Sequence, residues 1–166
     1  MARIPTLRPA TLADADSIAS LHVQAWDETY RGLLPDPEID ARSFEVRQQQ
    51  WRGQLSKPDR RVFLVDDLGF VQMGAQPDPE HAAEFPEFLF ALYLLRAAQG
   101  HGLGRKLLAA ACGHPFRPFT ALCLSTNHAA RAFYRHMGGI ELSEVPGPGG
   151  PDDVPDVLIG WRHRSF

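Results

Sequence analysis

The stretch Gln99-Gly100-His101-Gly102-Leu103-Gly104-Arg105-Lys106 is the part of this sequence around which the rest is organised. It follows a continuous apolar run from Phe88 to Leu95. The apolar residues that come after the second glycine recur at helical spacing, namely Leu103, Leu107, Leu108 and Ala111. The stretch therefore predicts a strand, a glycine turn and the start of a helix. Because a helix N-terminus carries unpaired NH groups and a partial positive charge, we expect a phosphorylated cofactor to bind there.

The spacing of the glycines argues against two common nucleotide sites. They alternate as G-x-G-x-G, whereas a dinucleotide site has G-x-G-x-x-G and an acidic residue ~20 positions further on, which this chain lacks. No Gly-Lys-Ser or Gly-Lys-Thr follows either, so the lysine and magnesium-binding hydroxyl of a P-loop are missing.

Three stretches of this sequence resemble the GNAT N-acyltransferase superfamily. The first resembles its acyl-CoA pyrophosphate loop, Gln/Arg-x-x-Gly-x-Gly/Ala, with Gln99, Gly102 and Gly104 at the defining positions. The second, residues 122–138 (LCLSTNHAARAFYRHMG), resembles the following strand-helix unit, where an asparagine precedes a tyrosine by seven residues. The third, residues 26–35 (WDETYRGLLP), resembles one branch of the superfamily. The sequence is identified as a member across nearly its full length.

The resemblance implies the GNAT acyl-CoA N-acyltransferase fold, an α/β (α+β) fold with a central mixed, mostly antiparallel sheet flanked by helices. Periodicity and turn signals place the predicted strands at 6–8, 61–66, 69–73, 87–95, 120–125, 140–145 and 154–161. Predicted helices start at a capping box over 11–14 and continue at about 37–55, from Leu103, and at 127–137. The strand at 87–95 lacks alternation, which predicts burial on both faces.

Composition favours one soluble domain. At 166 residues and 44% hydrophobic, the chain suits a single α/β domain over residues 1–166. No window approaches the ~20 apolar residues of a membrane span, and no apolar signal segment opens the chain, so we expect a cytoplasmic protein. Cys112 and Cys123 lie in apolar surroundings without C-x-x-C spacing, which favours reduced core thiols over a disulfide or a metal site.

Charge is distributed unevenly along the chain. The net charge is only -3, yet no acidic residue lies between Glu87 and Glu141, while six basic residues do. This asymmetry suits a polyanionic ligand at the middle of the chain and disfavours nucleic-acid binding. The expected walls of the acceptor groove carry acidic residues, which favours a protonated amine as acceptor: Asp27, Glu28, Asp36, Glu38, Asp40, Asp78, Glu80, Glu84, Asp152 and Asp153.

The resemblance also implies which residues bind acetyl-CoA. Backbone groups of Leu92, Tyr93 and Leu94 are expected to line the acyl and pantetheine arm. The loop and helix start would hold the pyrophosphate, through Gln99, Gly100, His101, Gly102, Leu103, Gly104 and Arg105. Either Arg105 or Lys106 could face a phosphate. Asn127 and Tyr134 complete the expected cofactor set, with Asn127 also a good helix N-cap. No metal is expected.

Tyr134 is the predicted catalytic residue. When an amine attacks the thioester, the departing sulfur gains negative charge, and a phenol with a pKa near ~10 can donate a proton to it. Without the resemblance, helical periodicity would make Tyr134 a core residue. Trp26 and Tyr30 could line the acceptor pocket, although an aromatic residue on an apolar helix face is more often core.

The general base and the acceptor stay open. Relatives place a carboxylate at the positions of Leu122 or Phe88, and neither is acidic here. The remaining candidates are Glu28, Glu84, Glu87, His101, His128 or a chain of waters. The sequence predicts acetyl transfer to a small-molecule or peptide amine, with a non-catalytic acyl-CoA sensor and an interaction module as rivals. The choice between acetyl and longer acyl donors, and between a monomer and a homodimer, stays open.

Overall fold

The computed structural model describes residues 4–150 and 152–166, so Met1 to Arg3 and Pro151 lie outside the described chain. The strands are β1 (Leu7–Pro9), β2 (Arg61–Val65), β3 (Gly69–Ala75), β4 (Glu87–Leu94), β5 (Phe119–Leu124), β6 (Ile140–Val145) and β7 (Asp156–Trp161). The α-helices are α1 (Ala15–Tyr30), α2 (Asp36–Asp40), α3 (Phe44–Leu55), α4 (Leu103–Cys112) and α5 (His128–His136). Short 3-10 turns precede α1 and follow β4.

The strands form a mixed sheet in the hydrogen-bonded order β1-β2-β3-β4-β5-β7-β6. β4 and β5 run parallel, with Glu87 opposite Phe119. The pairs β1-β2, β2-β3, β5-β7 and β6-β7 are antiparallel. The prediction of a mixed, mostly antiparallel sheet flanked by helices is therefore confirmed.

The first of two compact units comprises the residues up to Met73 together with Ala91–Ala111. Its core joins α1 and α3 to β2 and β3, where Ile18, Phe70 and Trp51 are almost fully buried. The predicted capping box forms at the 3-10 turn that leads into α1, where the NH group of Thr11 donates to the Asp14 carboxylate over 2.8 Å. Leu107 and Leu108 of α4 are also fully buried, as their helical spacing predicts.

The second unit comprises Gly74–Phe90 and Cys112–Phe166. Its core centres on Phe119 and Trp161, whose rings stack with centroids 4.5 Å apart. Cys112 and Cys123 are buried thiols that form no disulfide in the described chain, and burial raises the pKa of Cys123 to about 11. The assignment of residues 1–166 to one domain stays a prediction.

The predicted helix over residues 37–55 is wrong in one respect, because the chain forms two helices there. α2 ends at Asp40, and α3 starts only at Phe44. Ser43 separates them, since its hydroxyl accepts a hydrogen bond from the NH group of Val46 over 3.3 Å. A serine that caps a helix from outside has an extended backbone, which ends the preceding helix.

The prediction that β4 is buried on both faces is also wrong. Glu87, Leu89 and Ala91 are buried, whereas the residues between them are only half-buried. Leu122 of β5 is likewise 43% exposed. A run of large apolar residues hides this alternation from sequence reading, because aromatic and leucine side chains occupy the half-open face as well.

Other boundaries differ from prediction by only one or two residues. β1 is Leu7–Pro9 where 6–8 was expected, and β7 starts at Asp156 where 154 was expected. No helix in the described part of the chain is long and apolar enough to cross a membrane.

Candidate functional site

The glycine turn before α4 leaves its backbone open to a ligand. Gly100 and Gly102 have φ angles of 80° and 76°, in the left-handed region that glycine tolerates. A Cβ atom built on either would meet nothing within 4 Å. The first α-helical bond of α4 runs from the NH group of Lys106 to the carbonyl of Gly102 over 3.2 Å. The first three NH groups of the helix therefore lack intrahelical acceptors, which suits an anion.

Hydrogen bonds tie this turn to the end of β4 and to α1. The side-chain amide of Gln99 donates to the carbonyl of Leu94 over 3.2 Å. The NH group of Arg96 donates to the carboxylate of Glu28 over 2.6 Å, and the Arg96 guanidinium donates to the Glu28 carbonyl over 2.7 Å. The turn is thus anchored by side chains rather than left to move freely.

The side chains of the predicted loop divide into buried and exposed ones. Leu103 and Gly104 are buried, while Gln99 and His101 are exposed. Arg105 and Lys106 are both exposed as well, so either basic side chain is available to a phosphate.

The second half of β4 carries the predicted acyl-arm residues Leu92, Tyr93 and Leu94, which are half-buried. The parallel register with β5 covers Glu87–Leu89, and β4 continues beyond it to Leu94. On the β3 side, a Cβ atom at Gly69 would come 2.7 Å from the Tyr93 carbonyl oxygen. Glycine at position 69 is therefore required by the close approach of the two backbones.

The structure brings both predicted acceptor residues to the side chain of Tyr93. Nε1 of Trp26 donates to Oη of Tyr93 over 3.2 Å. The hydroxyls of Tyr30 and Tyr93 lie 2.9 Å apart and share a hydrogen bond. The Trp26 and Tyr30 rings are also in contact, with centroids 4.6 Å apart. Trp26, Tyr30 and Tyr93 are half-buried, and hydrogen bonds join their polar groups. We call these three residues the aromatic wall.

Two arginines that sequence reasoning missed lie against this wall. The guanidinium carbons of Arg42 and Arg47 are 4.3 and 4.8 Å from the centroid of the Trp26 ring. One signal could have found Arg47: it precedes Trp51 by four residues, and positions i and i+4 of a helix share a face. Arg42 lies in the connection between α2 and α3, where no helical spacing relates it to Trp26, so the sequence gives no comparable signal for it.

Burial and neighbouring positive charges determine the protonation of the cluster formed by His22, Arg42 and Arg47. Burial lowers the pKa of Arg47 to about 10, and the positive charge of Arg42 adds to this effect. Burial, followed by the charges of Arg47 and Arg42, lowers the pKa of His22 to about 3. His22 is therefore neutral near pH 7, whereas Arg47 stays charged.

Tyr134 and Asn127 lie in the second unit. The Tyr134 ring is buried and meets the Trp161 ring edge-on, with centroids 5.5 Å apart. Asn127 is the N-cap of α5, as predicted, since its Oδ1 atom accepts from the NH group of Ala130 over 3.2 Å. Helical spacing thus places Tyr134 on the core face, and its catalytic role stays a prediction.

A separate cavity of about 320 Å³ lies beside β1 and α1. Its walls include Arg8 and Asp14, which form an ion pair of 2.7 Å that lowers the pKa of Asp14 to about 2. No predicted site residue lines this cavity, so we assign no role in acyl transfer to it.

The comparison with protein families decides the identity of the fold. The model of the Acetyltransferase (GNAT) family matches residues 21–138, more than two thirds of the chain. The chain belongs to the GNAT family. The matched segment contains the aromatic wall, the glycine turn and Tyr134.

Curated relatives of this GNAT chain carry corresponding names. "Uncharacterized N-acetyltransferase YuaI" of Bacillus subtilis is 31% identical over 109 residues, which are 63% of this chain and 60% of that protein. "Probable N-acetyltransferase Rv2775" of Mycobacterium tuberculosis is 26% identical, over 96% of this chain and 94% of that protein.

Solved structures show the same GNAT fold. The PaiA N-acetyltransferase of Thermoplasma acidophilum, crystallised with coenzyme A, aligns with a TM-score of 0.73 at 17% identity. The alignment covers 97% of this chain and all of the other.

The carboxylates proposed as a general base are engaged elsewhere in this GNAT chain. Glu28 accepts from Arg96, Glu84 accepts from Arg162 over 2.6 Å, and buried Glu87 lies 3.6 Å from Arg117. His101 and His128 are exposed. Glu87 points to the buried face of β4, away from that of Phe88, as strand geometry predicts.

Three carboxylates of the predicted acidic groove form ion pairs with a single arginine. Asp27, Asp36 and Asp40 all pair with Arg31, the latter two at 3.1 and 2.9 Å. One guanidinium balances only one of these three negative charges, so a protonated amine as acceptor stays a prediction.

Proposed function

We propose that the protein transfers an acetyl group from acetyl-CoA to a primary amine of a small molecule or peptide by direct attack. The observation that carries this proposal is the open glycine turn at the start of α4. Two glycines with left-handed backbones, free space above them and unpaired helix-start NH groups together suit a pyrophosphate.

Family membership supports acetyl-CoA as the donor. A structural neighbour with the same fold was crystallised with coenzyme A. In this chain Gln99 to Arg105 would hold the pyrophosphate, and the backbone of Leu92 to Leu94 would pair with the amide groups of pantetheine. An extended amide-bearing arm can bind a strand edge as a peptide does.

In the proposed reaction no covalent bond forms between the substrate and the protein. The amine nitrogen attacks the thioester carbonyl, a tetrahedral intermediate forms, and its collapse breaks the carbon-sulfur bond. In our proposal the Tyr134 hydroxyl supplies a proton or hydrogen bond to the departing thiolate. The proton lost by the amine passes to water, directly or through His101 or His128. Trp26 and Tyr30 would contact the acceptor.

A purified-protein assay tests the proposal in two steps. Calorimetric titration with acetyl-CoA should show saturable binding, and an amine panel should then release free CoA thiol. Binding without release from any amine would favour the rival acyl-CoA sensor, and absence of binding would favour the interaction module. A cytoplasmic location and a homodimer stay predictions.

A further inference from the structure

Arg47 is a buried cation with an unfilled hydrogen-bonding edge. The residue is only 6% exposed. Its Nη1 atom donates to Oε1 of Gln50 over 3.1 Å. Its Nε and Nη2 atoms are buried and have no hydrogen-bond partner in residues 4–150 and 152–166. Leaving buried N–H groups of a charged side chain unsatisfied costs free energy, so such an edge calls for an explanation.

The two unfilled nitrogens define the shape of the missing partner. Nε–H and the outer N–H of Nη2 point in parallel from one edge of the planar guanidinium. This fork matches the two oxygens of a carboxylate, which forms a bidentate pair with arginine. A carboxylate gives each N–H group its own oxygen, whereas a single carbonyl or water oxygen would have to be shared by both.

The surrounding charges make an anion the fitting occupant. Arg42 approaches the same Trp26 ring, and its guanidinium donates to the backbone carbonyl of Glu38 over 2.6 Å. In the described residues neither guanidinium forms an ion pair with a carboxylate. Two neighbouring cations without a counter-ion are stabilised strongly by an anionic ligand.

We infer that the acceptor is an amine that also carries a carboxylate, as an amino acid does, and that Arg47 binds this carboxylate side-on. The inference rests on the proposed acetyl transfer to an amine. Trp26, Tyr30 and Tyr93 lie beside Arg47 and would contact the rest of the acceptor. An amino acid keeps the protonated amine that the acidic residues favour and adds a carboxylate for Arg47.

Binding requires one local movement. Nε and Nη2 of Arg47 are closed to solvent in this structure, and the Trp26 ring, with Arg42 on it, lies next to them. Arg42 belongs to the non-helical connection between α2 and α3 and is half-buried. A carboxylate would reach Arg47 when the Arg42 side chain swings away and then pairs with the ligand.

The test compares each L-amino acid with its C-terminal amide, which has nearly the same shape but no negative charge. CoA thiol release is followed at saturating acetyl-CoA. For the best amino acid, kcat/KM should exceed that of its amide by about 10- to 100-fold, the usual worth of a charged hydrogen-bonded pair. Preference for the amides across the panel would overturn the inference.

Variants identify the residue responsible. Arg47→Met should bring the acid-to-amide ratio close to one while leaving KM for acetyl-CoA unchanged, and Arg47→Lys should lower the ratio because lysine lacks the fork. Arg52→Gln is the matched control, since it removes an exposed guanidinium from the same helix and should keep the ratio. An unchanged ratio in Arg47→Met would overturn the inference.

Two further measurements separate failure of this inference from failure of the proposed function or of folding. If Arg47→Met does not fold, the half-exposed Arg42→Gln should still lower the ratio, and no change there would count against the site. If no amine releases CoA, the acetyl transfer itself fails. Thermal shift then decides: amino acids, but not their amides, should raise the Tm of the wild type and not of the Arg47 variant. Equal shifts would overturn the carboxylate site.

Discussion

Nε1 of Trp51 donates a hydrogen bond of 3.0 Å to Nδ1 of His22, joining α3 to α1. An indole N–H only donates, so Nδ1 of His22 accepts and carries no proton. The imidazole is thereby held neutral beside Arg47. Protonation of His22 would break this bond and add a third positive charge to the cluster.

Stability should fall as the pH drops from 7 to 5. The pKa of His22 is about 3 in the folded chain against about 6.5 when unfolded, so the unfolded chain binds the proton first over this range. When folding lowers the pKa of a histidine, the folded protein loses stability as the pH falls below the pKa of that histidine in the unfolded chain. The His22 contribution is about 2 kcal/mol between pH 7 and 5, measurable by urea unfolding at both values.

The variant His22→Gln isolates this effect, because glutamine keeps an acceptor but does not titrate. The other histidines and the low-pKa Asp14 contribute equally to both proteins in this range. The fall in unfolding free energy between pH 7 and 5 should be about 2 kcal/mol smaller in the variant. An identical fall in both proteins would show that His22 titrates normally.

Valine at Gly102 should abolish acetyl-CoA binding while the fold persists. The side chain would occupy the open space above the helix-start NH groups and strain a φ of 76°. The matched control is Gly113→Val at the other end of α4, where φ is 60° and the space is also open. Calorimetry should find binding only in the control, and normal binding in a folded Gly102→Val would refute the assignment of the loop.

Phenylalanine at Tyr134 should lower kcat by roughly 10²- to 10⁴-fold with acetyl-CoA affinity nearly intact. The ring is retained, so its edge-on contact with Trp161 persists and the Tm should change little. Turnover is measured at saturating acetyl-CoA across pH. A lower Tm with unchanged turnover would instead assign the hydroxyl a purely structural role.

Phenylalanine at Tyr93 separates the two substrates. The backbone of this residue is proposed to contact the acyl arm, but its hydroxyl bonds Trp26 and Tyr30. Loss of the hydroxyl should raise KM for the amine by about 2- to 12-fold, the worth of a neutral hydrogen bond, and leave acetyl-CoA affinity unchanged. A change confined to acetyl-CoA affinity would contradict the placement of the acceptor at this wall.

Much of the fold could be read from local spacing. The glycine turn, the helix after it and the N-cap at Asn127 each depend on residues within one or two turns of backbone. The class of the sheet was implied by the resemblance to the GNAT superfamily. Where a boundary was wrong, as at Ser43, a single side-chain hydrogen bond decided it.

The sequence by itself determined the family and the glycine turn at the start of α4, because backbone conformation and short motifs are encoded by neighbouring residues. It did not determine the environment of Arg47, which depends on α1 and α3 packing together. Only the tertiary structure places this guanidinium against Trp26 and out of water, with no carboxylate partner among the residues that the structure describes. Desolvation is a property of the groups around a charge, and these come from distant parts of the chain.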